Sequence, residues 1–255
     1  MARIVELEVE VLADAYNPQL FVRLTSDDGH TGVGESWWGT YQPMSPPGTP
    51  VFAIGVFVES TLQYGHEGIV STAISGVDLA VWDLVAKRQG LPVTALLGPV
   101  VHGAIPVYAS LTWLGTADRV CRDAERALNA GIRAVKLHEA NVELILEVRE
   151  RLGPGVPLMV DASARFDEAG AVAAAERLAA ADLVWFEEPV YPQSDHAALA
   201  RVRAAATMPI AAGENEFSLA GFERLVLSGA VDILQPEIAK FGGLKGPCRC
   251  SRGNC

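Results

Sequence analysis

The chain has 255 residues, half of them hydrophobic, and a formal net charge of −11. This length allows one large hydrophobic core or two domains. The acidic balance argues against a nucleic-acid-binding surface, which needs clustered basic residues. No uninterrupted apolar run approaches the ~20 residues of a membrane span, and the first residues read as a strand and not as a signal peptide. We expect a cytoplasmic protein that binds neither nucleic acid nor membrane.

The first part of the chain predicts a small α+β domain, residues 1–103. Alternating strands are expected at 4–12, 19–26 and 30–36, and an Asp-Gly turn separates the last two. A proline-rich loop follows at 37–50, the segment 51–64 is ambiguous, and apolar residues at helical spacing predict a helix over 67–89.

From residue 104 onward, apolar strands alternate with helices in a repeat of about 26 residues, the pattern of parallel βαβ units. The six strands are predicted at 105–112, 132–139, 156–163, 183–190, 208–215 and 231–238. A doubly wound sheet for a dinucleotide is disfavoured, because no glycine-rich phosphate loop follows the first strand. The fold class is therefore α/β: an incomplete (β/α) barrel of about six units over 104–246, preceded by a shortened cap.

Charged residues recur near the ends of successive strands, one βα unit apart. In a parallel barrel such positions lie at the carboxyl-terminal face, where active sites are built. Several carboxylates in one pocket repel one another, so a cation between them is expected. Oxygen-only ligands favour a hard ion, Mg²⁺ before Ca²⁺ or Mn²⁺. The residues are Lys136, Asp161, Glu187, Glu214 and Glu237.

The stretch "AVKLHEA" places Lys136 and His138 two residues apart, so both side chains face the same way on a strand. A solvated strand end would explain either residue alone. Beside a carboxylate site, a catalytic base becomes the favoured reading. Histidine has a near-neutral pKa already, whereas lysine needs its pKa lowered, so His138 is slightly favoured and both remain candidates.

The chain resembles the enolase superfamily, in its mandelate racemase and muconate lactonizing enzyme branch. The motifs that carry the resemblance are "GVGES", "SGVDLAVWDLVAKRQGLPVTALLG", "VKLH", "VDAS", "WFEEP", "AGEN" and the glycine pair at 242–243. The resemblance implies an α+β cap over a modified barrel. It also implies Mg²⁺ held by Asp161, Glu187 and Glu214, and a base at Lys136 or His138.

Departures from the family pattern qualify that resemblance. Ser163 replaces a common asparagine, and Glu237 replaces the aspartate that orients a histidine in the racemase-like branch. That histidine is absent, since none follows His196. Strands seven and eight are also absent, so we expect marginal stability alone or pairing with a second copy as a homo-oligomer. Supporting or substrate-binding roles are expected for Ser163, Glu188, Asn215 and Lys240, and a structural role outweighs a catalytic one for Lys240.

The expected reaction is Mg²⁺-dependent removal of the α-proton of a carboxylate substrate through an enediolate. A sugar acid is the expected substrate and dehydration the expected outcome. Alternatives within the family are a sugar-lactone cycloisomerase or a racemase, and racemisation ranks last because one face of the substrate lacks a base. A further alternative is a catalytically inactive remnant that binds the ion and a carboxylate without turnover.

Four cysteines are present, and three of them crowd the atypical tail 247–255. Cys121 falls in a predicted helix and is expected to be buried. Cys248, Cys250 and Cys255 lack the spacing of a zinc site. Residues left by cloning or by a shifted reading frame are therefore favoured over a metal-binding tail.

Overall fold

The computed structural model describes residues 2–12, 19–36, 65 and 67–244. The predicted loop at 37–50, the ambiguous segment 51–64 and the cysteine tail lie outside these residues. The chain divides into two compact units. One holds the described residues of Met1–Gly103, Glu214–Phe222 and Pro236–Cys255, and the other holds Ala104–Gly213 and Glu223–Gln235.

The first unit contains an antiparallel sheet of the three predicted strands in sequence order. Alternation along the middle strand buries Leu20, Val22 and Leu24 on one face, where they pack with Ala80 and Leu84 of the long helix. The elements are β1 (Ile4–Leu12), β2 (Gln19–Ser26), β3 (Thr31–Ser36), α1 (Ile69–Gln89) and α2 (Val93–Leu97).

Glycines let α1 approach β3 closely. A Cβ at Gly34 would lie 2.2 Å from the carbonyl oxygen of Gly76 and 2.5 Å from the amide nitrogen of Ala80. Both are backbone atoms, which cannot rotate out of the way as the end of a side chain can. A larger residue at Gly34 would therefore push the helix away from the sheet.

By length and composition alone, α1 could cross a membrane, and it is the one such helix in the described part of the chain. Its acidic residues bond within its own unit: Asp83 accepts a hydrogen bond from the amide of Val33, and Asp78 accepts one from Leu244. The helix thus supplies part of the core of the first unit. Its two acidic residues also interrupt the apolar run that a membrane span would need.

The second unit contains a parallel sheet of six strands in sequence order, as predicted. Its strands are β4 (Ala109–Ser110), β5 (Val135–His138), β6 (Leu158–Asp161), β7 (Phe186–Glu187), β8 (Ile210–Ala212) and β9 (Ile233–Leu234). Its helices are α3 (Ala117–Asn129), α4 (Val142–Leu152), α5 (Glu168–Leu178) and α6 (His196–Ala205), while α7 (Leu219–Leu227) spans the boundary between the units. One apolar core joins strands and helices, and it includes Cys121, whose predicted burial is confirmed.

Short polar residues begin three of these helices. Asn141, Asp167 and Asp195 each accept a hydrogen bond from the amide three residues ahead. Such caps satisfy backbone donors that the first turn of a helix leaves unpaired. They set where each helix begins after its strand, and hence the length of the loops at the carboxyl ends of β5, β6 and β7.

The strands are shorter than the sequence predicts. The sequence predicts a strand throughout 105–112, but only Ala109–Ser110 pairs, and Ile105 and Val107 are exposed. Pro106 lacks the amide that a ladder requires, which is typical of a sheet edge. In 183–190 only Phe186–Glu187 is strand, because Glu188 adopts a φ of 40° and Pro189 follows.

Candidate active site

Three polar residues form one row across the second unit. His138 pairs in register with Asp161 across β5 and β6, and Asp161 pairs in register with Glu187 across β6 and β7. All three strands are parallel, and all three residues are the last of their strand. The βα repeat therefore brings them to the same end of the sheet, as the sequence spacing predicts.

Lys136 lies against this row and adds a positive charge to it. Its Nζ lies 2.8 Å from Oε1 of Glu187 and 3.6 Å from Oδ2 of Asp161, and its side chain is 8% exposed. Burial alone would lower the pKa of Lys136, but its attraction to Glu187, the hydrogen bond that it donates to Glu187 and the charge of Asp161 outweigh burial and raise the pKa. The ammonium group therefore lies as a cation between two buried carboxylates.

His138 shares the face of Lys136, as the alternation of a strand requires. Its Nε2 lies 3.2 Å from Oδ2 of Asp161, and its Nδ1 hydrogen-bonds the carbonyl oxygen of Leu111. A carbonyl can only accept, so Nδ1 carries a proton and Nε2 is the nitrogen presented to Asp161. Burial lowers the pKa of His138, but the hydrogen bond and charge of Asp161 outweigh it and raise the pKa.

Asp161 is the most heavily bonded carboxylate of the row. The amide and hydroxyl of Ser163 donate to its Oδ1 at 2.7 and 3.1 Å, while Oδ2 faces His138 and Lys136. Burial acts to raise the pKa of Asp161, but the hydrogen bond and charge of His138, with the charge of Lys136, lower it overall. Ser163 thus contacts the carboxylate that it was predicted to support.

Glu187 is 1% exposed, and its two oxygens have different partners. Lys136 donates to Oε1, and the indole nitrogen of Trp185 donates to Oε2 at 2.8 Å. Burial and the nearby charge of Asp161 raise the pKa of Glu187, against the opposing effect of Lys136. Trp185 was missed in the sequence, although its position two residues before Glu187 places it on the same face.

Glu139 is a second residue that sequence reasoning missed. It is 3% exposed, and its Oε1 accepts hydrogen bonds from the amides of Leu114 and Gly115 at 2.9 and 2.8 Å. These two bonds hold the loop after β4, the same loop whose Leu111 carbonyl faces His138. No sequence pattern signals a carboxylate bonded to a loop 24 residues earlier.

The remaining predicted residues have partners of their own. Glu214, Asn215, Glu237 and Lys240 belong to the first unit, where Lys240 donates to Glu214 at 2.9 Å and to Asn215 at 3.1 Å. The carboxylate of Glu237 accepts from the amide of Ala239. Glu188 is buried beside the row, and its carbonyl accepts from the amide of Ala164. Their catalytic, metal-binding and supporting roles stay predictions.

The fold and this site define a protein of parallel βα units with acid-base groups at the carboxyl ends of the strands. The family described as Enolase C-terminal domain-like matches residues 119–251, and the mandelate racemase / muconate lactonizing enzyme N-terminal domain matches residues 51–98. The chain therefore belongs to the enolase superfamily, in its mandelate racemase and muconate lactonizing enzyme branch.

Individual relatives agree with this assignment. The chain is 32% identical to a D-galactarolactone cycloisomerase of Agrobacterium fabrum over 88% of this chain and 65% of the relative. It is 35% identical to an L-talarate/galactarate dehydratase of Salmonella typhimurium over 71% of this chain and 47% of the relative. The chain thus spans about half to two thirds of the length of these curated relatives.

A solved structure gives the same result at the level of the fold. It is a mandelate racemase/muconate lactonizing protein from Paracoccus denitrificans complexed with magnesium. It superposes with a TM-score of 0.84 at 28% identity, and the match covers 100% of this chain and 76% of that one.

Proposed function

We propose that this protein is a Mg²⁺-dependent enzyme that removes the α-proton of a carboxylate substrate, and that the substrate is a sugar acid dehydrated by the reaction. The observation that carries the proposal is the row of the second unit. Two proton-carrying side chains, Lys136 and His138, lie against two buried carboxylates, Asp161 and Glu187. Proton transfer and cation binding need these two kinds of group side by side.

The residues fit a divalent cation. Asp161 and Glu187 offer only oxygen ligands, which suit Mg²⁺, and the ammonium of Lys136 shows that a cation is stabilised between them. Glu214 is proposed as the third ligand, because it follows β8 after a single glycine and lies one βα unit beyond Glu187. A bound Mg²⁺ would supply a positive charge for the substrate carboxylate and for the negative charge that develops when its α-proton leaves.

The base is proposed to be His138, with Lys136 as the alternative. The bond from Nδ1 of His138 to the Leu111 carbonyl orients the ring, so that Nε2 is the atom that can take a proton. The carboxylates raise the pKa values of both Lys136 and His138, and Lys136 is the less suited because an amine is more basic than an imidazole and holds its proton more firmly. Lys136 then acts as a fixed positive charge beside the reaction.

Dehydration follows from the chemistry of a sugar acid. When the C2–H bond breaks, the electron pair left on the substrate can expel the hydroxyl at C3, and the proton held by the base can leave with it as water. Relatives named as dehydratase and cycloisomerase both support sugar-acid chemistry. Cycloisomerisation, in which a ring oxygen is expelled instead, is the second candidate. Racemisation needs a base on each face, and the row supplies proton carriers from one strand, β5.

Solvent exchange tests the proposal. The Mg²⁺-loaded protein is incubated in D₂O with a panel of sugar acids, and deuterium at C2 is measured by NMR. We expect exchange in the wild type and its loss in Lys136→Ala and His138→Ala. Exposed Lys87→Ala and His102→Ala serve as matched controls that keep it. Intact Mg²⁺ binding without exchange on any acid would instead support an inactive, ion-binding remnant.

Location and assembly are proposed with this function. An enzyme of small sugar acids is proposed to be cytoplasmic, with no nucleic-acid or membrane partner, and to form a homo-oligomer. The exposed apolar side chains of β1 support a second copy as partner, including Val5 and Val11 at 62% and 46% exposure. Sedimentation measures the oligomeric state, and a monomer at micromolar concentration would contradict this part.

A further inference from the structure

A cavity of about 250 Å³ lies within the second unit beside His138. Loops at the carboxyl ends of β4, β5 and β6 line it, with Trp113 on one wall and Ser163 and Arg165 on another. Its volume matches roughly eight water molecules at their liquid packing. The cavity can therefore hold several carbons and hydroxyls of a substrate whose reacting carbon lies at His138.

The two carboxylates in the cavity wall accept hydrogen bonds from the protein itself. Glu139 uses Oε1 for the amides of Leu114 and Gly115. Asp161 uses Oδ1 for Ser163 and Oδ2 for His138. A ligand in this cavity consequently meets carboxylates that already have protein partners, and a donor without a protein partner can select it.

Arg165 is the main such donor. Its side chain is exposed and lines the cavity. Within the residues that the structure describes, its guanidinium makes no hydrogen bond or ion pair. A guanidinium presents five N–H donors in a planar fork that matches a carboxylate. Its presence favours a negatively charged group on the ligand.

The backbone that carries Arg165 is strained and firmly held. Ser163 and Ala164 adopt φ values of 47° and 54°, a left-handed conformation that costs of order 1 kcal/mol for residues with a side chain. The amides of Ala164 and Arg165 donate to the carbonyls of Glu188 and Ala162. This geometry directs Arg165 into the cavity, and such strain is typical of functional sites.

We propose that this cavity binds the second carboxylate of a dicarboxylic sugar acid, with Arg165 as its partner. The inference rests on the proposed function: one carboxylate lies at the metal, the α-carbon lies at His138, and the distal carboxylate pairs with Arg165. It makes the substrate an acid with a carboxylate at both ends, and it makes Arg165 the residue that distinguishes this acid from one that ends in a hydroxyl.

Two acids of equal length test the inference. Galactarate and galactonate share their carbon chain and hydroxyls, and they differ in whether C6 is a carboxylate or an alcohol. Binding to the Mg²⁺-loaded protein is measured by calorimetry. We expect galactarate to bind about tenfold tighter or better, as a charge-assisted hydrogen-bonded pair provides. Arg165→Gln should remove this preference and leave galactonate affinity unchanged, and Arg165→Lys should retain part of it.

A matched variant controls for net charge. Arg133→Gln removes the same charge from an exposed residue that precedes β5, at the opposite end of the sheet, and it should keep the preference for galactarate. Equal affinity of the two acids in the wild type, or an unchanged preference in Arg165→Gln, would overturn the inference. If the preference holds but no α-proton exchanges, the proposed catalytic function fails while the binding site stands.

Discussion

Lys136 donates a hydrogen bond to Glu187 at 2.8 Å, and both side chains are almost fully buried. A buried charge that loses its partner is costly, so we expect Lys136→Met to lower the free energy of unfolding by about 3–5 kcal/mol without Mg²⁺. Added Mg²⁺ should restore part of this loss, because binding to the folded state stabilises it. Urea unfolding with and without Mg²⁺ measures both effects.

The exposed pair of Lys87 with Asp83 provides the control for that experiment. Lys87→Met should change stability by no more than about 0.5 kcal/mol, as for most surface pairs one helical turn apart. A Lys136→Met variant as stable as wild type without Mg²⁺ would show that the carboxylates need no cation, and it would remove the main support for the metal site.

The hydroxyl of Ser163 contacts Asp161 and thereby orients a proposed metal ligand. Groups that orient a ligand typically change metal affinity 10- to 100-fold when removed. We expect Ser163→Ala to weaken Mg²⁺ binding about tenfold, at the lower end of this range, because the amide of Ser163 still donates to Asp161. Titration with Mg²⁺ in a calorimeter measures it. Asp167→Asn, which alters a helix cap after the same strand, should leave the affinity unchanged.

Glu139 holds the loop after β4 through two amides, and this loop supplies the carbonyl that orients His138. In Glu139→Ala both amides lose their acceptor, so the amides of Leu114 and Gly115 should exchange with solvent at least tenfold faster. Glu139→Gln keeps an acceptor oxygen and should retain most of the protection. Hydrogen exchange followed by NMR measures the rates, and the exposed Glu143→Ala is the control.

If both amides stay protected in Glu139→Ala, the loop is held by other contacts and the role assigned to Glu139 is wrong. A drop in α-proton exchange without loss of loop protection would point instead to a direct electrostatic effect. The two readouts therefore separate positioning of His138 from a change in charge near it.

The row of His138, Asp161 and Glu187, with Lys136 against it, was predictable because the βα repeat is regular. Each βα repeat runs its strand in the same direction, so every strand ends at the same edge of the sheet. Residues at a constant spacing in the sequence therefore lie in a row at that edge. Side chains on β5 were assigned to one face by alternation alone, and both Lys136 and His138 contact Asp161. Local periodicity was sufficient for this part of the site.

The contacts of Glu139 and the turn that carries Arg165 were not predictable in the same way. Glu139 bonds a loop that is distant in sequence, and Arg165 is directed by two left-handed residues, neither of them glycine. Sequence patterns signal left-handed backbone mainly through glycine or asparagine. The extent of β4 was overestimated because apolar residues such as Ile105 resemble a buried strand, although they lie exposed beside Pro106.

Gly34 should tolerate no side chain. In Gly34→Ala the new Cβ meets backbone atoms of Gly76 and Ala80 at 2.2 and 2.5 Å, so α1 must shift from the sheet. We expect a loss of about 1–3 kcal/mol in the free energy of unfolding, typical of overpacking, measured by denaturant titration. Gly103→Ala is the control, because a Cβ there meets nothing within 4 Å. Equal stability of the two variants would contradict the close packing of α1 on β3.

Asp232 should make stability depend on pH. Its Oδ1 pairs with Arg203 at 2.7 Å and its Oδ2 accepts from the amide of Ile210 at 3.0 Å. The hydrogen bond of Arg203, which outweighs desolvation, lowers the pKa of Asp232. Because the folded-state pKa is below the unfolded value of about 3.9, the stability that the charged Asp232 contributes is present above that pH and is lost as the pH falls through the folded-state pKa.

Asp232→Asn should cost about 1 kcal/mol in the free energy of unfolding at pH 7 and less at pH 2. Urea unfolding at both pH values measures the difference, and a cost that does not shrink in acid would show that the charge of Asp232 contributes nothing.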